Sequence, residues 1–437
     1  MKNLLILMLL LCSSFLYCQS KDPDNTKFVS PGYSNSDPFF SNITDAINGS
    51  SSGGFIEVYP GTYTENITLV DGINIHCWPG VIITSSGTTI GFTNSSFYNL
   101  KFTGQAVIEG TGTGETILYN NTSNGTGSKI YFQCAEINAP SGTGLSLSST
   151  ASNSYFNFDV GKIYSSKYAV YQSLSNISNI LDFRADSIYT LNAPVTSYSS
   201  IRTSSGTSNF NITSLVGNGT ILWHYNGVIN YNGISVKNLN DSGHAIKTDA
   251  SARFTGKISK IYSDAALHAC VEIVGSSFMA LDVQDTIYGG AGMCINSTTS
   301  ASLNINAGYI INNSTVAAGG ETWTLNLYSP GYVNAKEVKN LGDYVVFYGQ
   351  PSGYLTLNAK FIGNNSTHGI ITVDATDNLI LDNCVIYNAY TSGFGVYTNN
   401  WSTTRYVRIY GSLFTNVAKR SQISYLTGSE TVDTDVR

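Results

Sequence analysis

From residue 155 onward, apolar and polar residues alternate in short runs. Phe156, Phe158 and Val160 form one such run, Leu181, Phe183 and Ala185 the next, with Met279, Leu281 and Val283, then Leu379 and Leu381, further on. A period of two places these side chains on one face of an extended strand and Asn157, Asp159, Asp182 and Arg184 on the other. An Ile-Tyr pair closes each run, beginning at Ile163, Ile188, Ile261, Ile287 and Ile386. The intervals are 25, 73, 26 and 99 residues, close to one, three, one and four copies of a single unit. Weaker copies fall near the missing places: "NFNITSL" at 209–215, "ISVKNL" at 234–239, "LNINAGYI" at 303–310, "LTLNAKFI" at 355–362 and "VRIYGSLF" at 407–414.

Clusters of Gly, Asn, Ser and Pro turn the chain between runs, and no ten-residue helical period follows residue 50. Strands of four to six residues, three or so per coil of about 25, wind a chain into a parallel β-helix. The expected fold is therefore all-β, a single-stranded solenoid of fifteen or so coils stacked at about 4.8 Å. One coil cannot bury its apolar face, so coil-to-coil contacts hold the stack. The expected divisions are a leader over 1–20, an N-terminal segment and cap over 21–54, the solenoid over 55–420 and an irregular tail over 421–437.

The segment 37–84, "DPFFSNITDAINGSSSGGFIEVYPGTYTENITLVDGINIHCWPGVIIT", resembles the opening of the pectin lyase-like superfamily of right-handed parallel β-helices. The resemblance rests on a short helix with Ile43, Ala46 and Ile47, expected over 39–48, and on the "PGTY.ENI" turn from Pro60 to Ile67. It implies a helix covering the open apolar end of a right-handed solenoid. An amphipathic helix there also makes sense by itself, since it covers unpaired backbone. The superfamily includes lyases, hydrolases, esterases, phage tailspikes and adhesins, so the resemblance implies a fold rather than a reaction.

Lys2, the apolar run Leu4–Leu11 and the small residues Cys18 and Ser20 follow the order of a secretory leader cut after Ser20. Cys18 is the alternative, lipid-modified position, although bulky Tyr17 precedes it. No other apolar run reaches the length of a membrane span, and the expected address is secreted, extracellular or cell-surface. Charged residues make up only 11% of the chain and the net charge is −6, which excludes phosphate-backbone partners. Past the leader, Cys77, Cys134, Cys270, Cys294 and Cys384 lack metal-ligand spacing and read as small core residues; Cys270 and Cys294 fall one coil apart.

Candidate chemistry lies along 241–285, where Asp241, Lys247, Asp249, Arg253, Lys257, Lys260, Asp264, Glu272, Asp282 and Asp285 concentrate charge. Asp241, His244, Lys247, Asp249, Lys257, Asp264, His268, Asp282 and Asp285 are the candidates for a lyase or glycosidase site, the first requiring a base with a cation or Ca²⁺, the second paired carboxylates. No adjacent Asp pair is present, and "SGHAI" at 242–246 only partly resembles a polygalacturonase segment. "QDTIY" at 284–288 resembles a pectin methylesterase element, but neither partner segment of that family appears, and Ile287-Tyr288 belongs to the repeat. His244, His268 and His368 are 24 and 100 residues apart, in one column with Tyr168, Met293 and Phe394, as packing residues would be.

Tyr164 with Tyr189, and Tyr262 with Tyr288, are expected to stack in neighbouring coils, as a turn-stabilising ladder or as a sugar-binding row. Many Asn-X-Ser/Thr sequons occur, among them Asn66, Asn211, Asn296 and Asn400. The expected function is an exported structural or adhesive rod, a self-associating appendage subunit or a carbohydrate-binding protein. A polysaccharide-degrading enzyme is the alternative and a phage-type receptor-binding spike the third. Expected partners are a polysaccharide or surface glycan and further copies of the chain, with no metal site and no cofactor beyond the Ca²⁺ of a lyase.

Overall fold

The computed structural model describes residues 25–435, apart from 93–98, 122–126, 191–198, 240–242, 266–267, 299, 314–322, 343–345, 350 and several short stretches beyond 364; side chains are described as far as 386. The expected leader over 1–20 with Cys18, and Asp241, His368 and Asn400, lie outside the described residues. The chain winds as a parallel β-solenoid of two sheets, one built from long strands and one from short strands. Each coil contributes a long strand, of ten to twelve residues in the middle of the chain, and a short one of three to seven. Among the described residues the short-strand sheet stacks fifteen strands.

Pairing between coils is parallel and in register, so the sequence repeat becomes a set of columns. The Ile-Tyr pairs mark one of them: Ile163, Ile188, Leu215, Val236, Ile261, Ile287, Ile310, Val338, Ile362 and Ile386 follow rung by rung. All ten side chains are fully buried. In this column the coil ending at Val338, on strand Gly331–Asn340, had no recognisable sequence match, because Val333, Ala335 and Val338 stand among Asn334, Lys336, Glu337, Lys339 and Asn340.

A long strand is two inward-facing runs joined at a bend. In Tyr155–Ser165 the buried residues are Phe156, Phe158 and Val160, then Ile163 and Ser165, so the alternation slips by one at Gly161–Lys162. Gly161 fits there because a Cβ would stand 2.4 Å from the carbonyl oxygen of Ala135 on the preceding coil. Strand Phe278–Gly289 carries one residue more than its neighbours, and its register shifts between Val283 and Thr286. The Gln284-Asp285 pair of "QDTIY" is therefore a β-bulge, which explains why that interval is 26 residues rather than 25.

Aromatic rings fill the first run from coil to coil. Phe102, Phe132, Phe158, Phe183, Phe210 and Tyr231 occupy one inward column. Phe102 and Phe132 stack at 4.6 Å between centroids, and Phe183 meets Phe210 at 5.7 Å. Cys77, Cys134, Cys270, Cys294 and Cys384 are all buried, and burial pushes the Cys294 thiol up to about 12.

Two end segments differ from the sequence expectation. The helix is Ile43–Asn48, preceded by a short strand at Phe39–Phe40 that pairs with Thr26–Val29. Asn42 starts the helix by accepting the Asp45 amide, and the Glu65 carboxylate accepts the amides of Ile43 and Thr44 at 2.8 Å each. The Glu of the "PGTYTENI" turn thus anchors the helix to the next coil, while Ile43, Ala46 and Ile47 are buried. Thr26–Val29 also pairs with Phe55–Val58, so the stack begins inside the segment expected as a cap. At the other end Glu430–Asp435 pairs with Arg405–Tyr410, which extends strand order into the expected tail.

Phe183→Ala removes a ring from the middle of the aromatic column and is expected to cost about 3–5 kcal/mol. Gly331 sits at φ +147 with a virtual Cβ 1.9 Å from the Leu303 carbonyl oxygen, so Gly331→Ala is expected to push those two coils apart. Chemical denaturation of both variants checks this; a Phe183→Ala midpoint equal to that of the unaltered chain would refute the column's importance.

Candidate functional site

The first half of the long strands presents its polar residues outward, and over six coils these line a groove of about 680 Å³. One rail of the groove is Tyr131, Asn157, Asp182, Asn209, Asn230 and Thr255. The other, two residues further along each strand, is Asp159, Arg184, Asn211, Asn232 and Lys257. Alternation places both rails on the face opposite the aromatic column, at a rung spacing of about 4.8 Å.

Hydrogen bonds between rungs hold the first rail in place. The Asn209 amide donates to Asp182 Oδ1 at 2.6 Å, and the Asn230 amide donates to Asn209 Oδ1 at 2.8 Å. Asp182 Oδ2 accepts the Tyr155 hydroxyl at 2.5 Å, and the Asn157 amide donates to that same hydroxyl oxygen at 3.3 Å. That bond to Asp182 raises the tyrosine's pKa. On the second rail the Gln133 amide donates to Asp159 at 3.4 Å. Both oxygens of Asp182 are therefore engaged, one by the Asn209 amide and the other by the Tyr155 hydroxyl. The groove offers carboxamides, hydroxyls, two carboxylates, one guanidinium and one ammonium in fixed order, charges that balance in number, and its donors and acceptors can exchange hydrogen bonds with a hydroxyl-rich chain.

The sequence candidates are distributed over different faces of the coil. Lys257 lines the groove and Asp282 follows it on the next rung, exposed. Asp285 lies in the bulge, accepting the Thr286 hydroxyl at 2.9 Å. Asp264 accepts the Tyr262 hydroxyl, a bond that pushes Tyr262 up to about 12. Tyr262 stacks on Tyr288 at 4.9 Å and 10°, and Tyr164 on Tyr189 at 5.3 Å and 11°. Each pair directs one ring face at its partner, so the stacked faces are spent along the axis and the ring edges meet solvent.

His244, Lys247, Asp249 and His268 belong to the short-strand sheet and its turns. There Glu272 Oε2 lies 2.9 Å from both His244 Nε2 and Lys247 Nζ, and Glu272 Oε1 accepts the Asn296 amide at 3.3 Å. His244 Nδ1 lies 2.8 Å from the Ala269 carbonyl oxygen, so both ring nitrogens face acceptors and each is satisfied only as a donor. The His268 ring meets that of His244 at 5.0 Å, edge to face. In strand register, however, Ile246 pairs with Val271, so His268 stands one residue ahead of the His244 position and is exposed where His244 is buried. Among the described residues no cluster of three metal-ligating side chains is present. No described helix is long and apolar enough to cross a membrane.

The sequence placed the richest chemistry at 241–285, whereas the groove spans residues 131–257 and shares only Thr255 and Lys257 with that stretch. The signal was present in the outward partners of the alternating runs, Asn157, Asp182, Asn209 and Asn230, which recur once per coil but carry little charge. His224 was also missed. Its Nδ1 lies 2.6 Å from Thr203 Oγ1, its buried Nε2 has no hydrogen-bond partner, and burial lowers it to about 4.

These groups give stability a definite pH dependence. His224 has a folded value below its ordinary 6.5, so the stability tied to its neutral form is complete above 6.5 and lost as pH falls towards 4, on the order of 3 kcal/mol. His268, lowered by burial and then by His244, acts in the same direction. For Glu272 burial opposes ionisation, but the hydrogen bonds and charges of His244 and Lys247 outweigh it and bring the carboxyl from 4.5 down to about 2. Its contribution is present above 4.5 and lost as pH falls through about 2. Thermal midpoints are expected to fall in both windows on acidification, with His224→Gln flattening the upper one and Glu272→Gln the lower. A midpoint constant from pH 7 to 3 would contradict both assignments.

No protein-family model, no curated protein and no solved structure matches the chain.

Proposed function

We propose that the chain is an exported, noncatalytic rod, a right-handed β-helix of the pectin lyase-like type, that binds a neutral polysaccharide lengthwise in the groove. The observation that carries this reading is the rung-to-rung hydrogen bonding of Asp182, Asn209 and Asn230, which orders the binding groups before any ligand arrives. Preordered groups lose little conformational entropy on binding, and a ligand that repeats along its own length can use the same contact on successive coils. The low charge of the chain and its wealth of amides and hydroxyls support a neutral, hydroxylated partner. Helix Ile43–Asn48 is the cap at the entry end in this reading, and the leader over 1–20 supplies export.

Affinity electrophoresis of residues 21–437 through gels containing neutral glucans, mannans, xylans and galactans tests the proposal. At least one polymer is expected to retard the protein. Asn209→Ala combined with Asn230→Ala is expected to weaken that binding about tenfold or more, at one to two lost hydrogen bonds per site. Retardation by none of them, or retardation unaffected by the double substitution, would sink the groove assignment. Shortening of the polymer by the unaltered chain would move the reading to a depolymerising enzyme.

A further inference from the structure

A second outward column lies on the short-strand sheet, away from the groove. Tyr171, Arg202, Trp223, Lys247 and Glu272 follow one another on successive rungs. Arg202 Cζ stands 4.5 Å from the centre of the Trp223 ring and 6.0 Å from that of Tyr171, and Lys247 Nζ stands 5.8 Å from the Trp223 ring. One indole thus lies between two cations in the register.

The two cations differ in how they are compensated. Lys247 is paired with Glu272 at 2.9 Å, and that carboxylate also serves His244. Arg202 has no carboxylate within ion-pair distance among the described residues; it donates a long hydrogen bond of 3.4 Å to the Tyr168 hydroxyl. Stacking on an aromatic ring uses the face of a guanidinium and leaves its planar edge of N–H donors free, an arrangement suited to two oxygens of one anionic group. Trp223 Nε1 is a further donor, buried and without an acceptor. The cluster holds donors in excess of acceptors, in a chain whose net charge is −6. Tyr168 and Tyr171, 5.1 Å apart and tilted at 48°, flank the guanidinium and supply apolar ring surface and hydroxyls beside it.

We infer that Arg202, on its shelf of Tyr171 and Trp223, is a binding site for an anionic sugar residue, carboxylated or sulfated, of an acidic polysaccharide. The guanidinium edge takes the oxyanion and the adjacent tyrosines take the sugar ring. Lys247, already paired, adds to the local field without being the primary contact. This site is independent of the groove, so the molecule carries a neutral-glycan surface and an acidic-glycan surface on different sheets.

The test is affinity electrophoresis of residues 21–437 through polygalacturonate, dextran sulfate and neutral dextran, with Arg202→Gln, Arg202→Lys and the Asn209→Ala, Asn230→Ala pair run beside the unaltered chain. Retardation by polygalacturonate assigns the carboxylate, retardation by dextran sulfate the sulfate, and retardation by both a general oxyanion site. Arg202→Gln is expected to weaken binding about tenfold or more and Arg202→Lys by less, since lysine keeps the charge but loses the fork. The groove pair is expected to leave acidic-polymer binding within about twofold, and 0.5 M salt to reduce it strongly, since the screening length is then below about 5 Å. Matching unfolding midpoints establish that Arg202→Gln is folded. No retardation by either acidic polymer, or acidic binding that survives Arg202→Gln, would overturn the inference; retardation by neutral dextran belongs to the groove where the Asn209→Ala, Asn230→Ala pair abolishes it, and overturns the inference where Arg202→Gln abolishes it. Loss of acidic binding in the groove pair alone would reassign it to the groove. Failure of the neutral glycans alone would leave this site standing and remove only the groove reading.

Discussion

Parallel, in-register hydrogen bonding between coils is the constraint on which the rest of the molecule depends. It fixes the axial neighbour of every residue, so that Ile163 meets Ile188, Tyr164 meets Tyr189 and Asp182 meets Asn209. Like then stacks on like. Inside, that condition favours aliphatic and aromatic columns, because apolar area buried against the coils above and below is gained on both sides. Outside, it favours amides, since a carboxamide both donates and accepts and can pass a hydrogen bond up the stack, as Asn230 does to Asn209. Charged residues obey the same rule by alternating in sign, since a like charge about 4.8 Å away would repel: Asp159 meets Arg184, Lys247 meets Glu272 and Lys257 meets Asp282.

Much of the interior was legible in the sequence. A period of two in Phe156–Val160 and a coil-length interval between Ile-Tyr pairs are direct consequences of pleat and pitch, and they located both the strands and the column they build. The bend was not legible, since a slip of the alternation at Gly161 looks in sequence like a strand end rather than a turn within one strand. The bulge at Gln284-Asp285 was hidden for the same reason and, in the company of Thr286 and Tyr288, took on the appearance of a catalytic motif.

The surface was less legible than the core. Sequence reasoning weighted titratable residues, and these concentrate at 241–285, but their partners depend on which coil face each occupies. Glu272 joins His244 and Lys247 because all three lie on the short-strand sheet or the turn leading into it, while Lys257 and Asp282 point out from the long strands. Arg202 and Trp223 are 21 residues apart and belong to no motif; only the pairing of Ser199–Thr203 with Thr220–His224 places them on adjacent rungs.

The bulge at Gln284-Asp285 also bears on how such a chain can change length. One surplus residue is absorbed at the bend, and on the far side Ile287 rejoins the column of Ile261 and Ile310 without displacement. A misfit in one coil is cancelled before it reaches the next. Insertions and deletions are thus local events in this architecture, and the molecule can drift in sequence length, or gain whole coils by duplication, while the lines of side chains along its axis stay continuous.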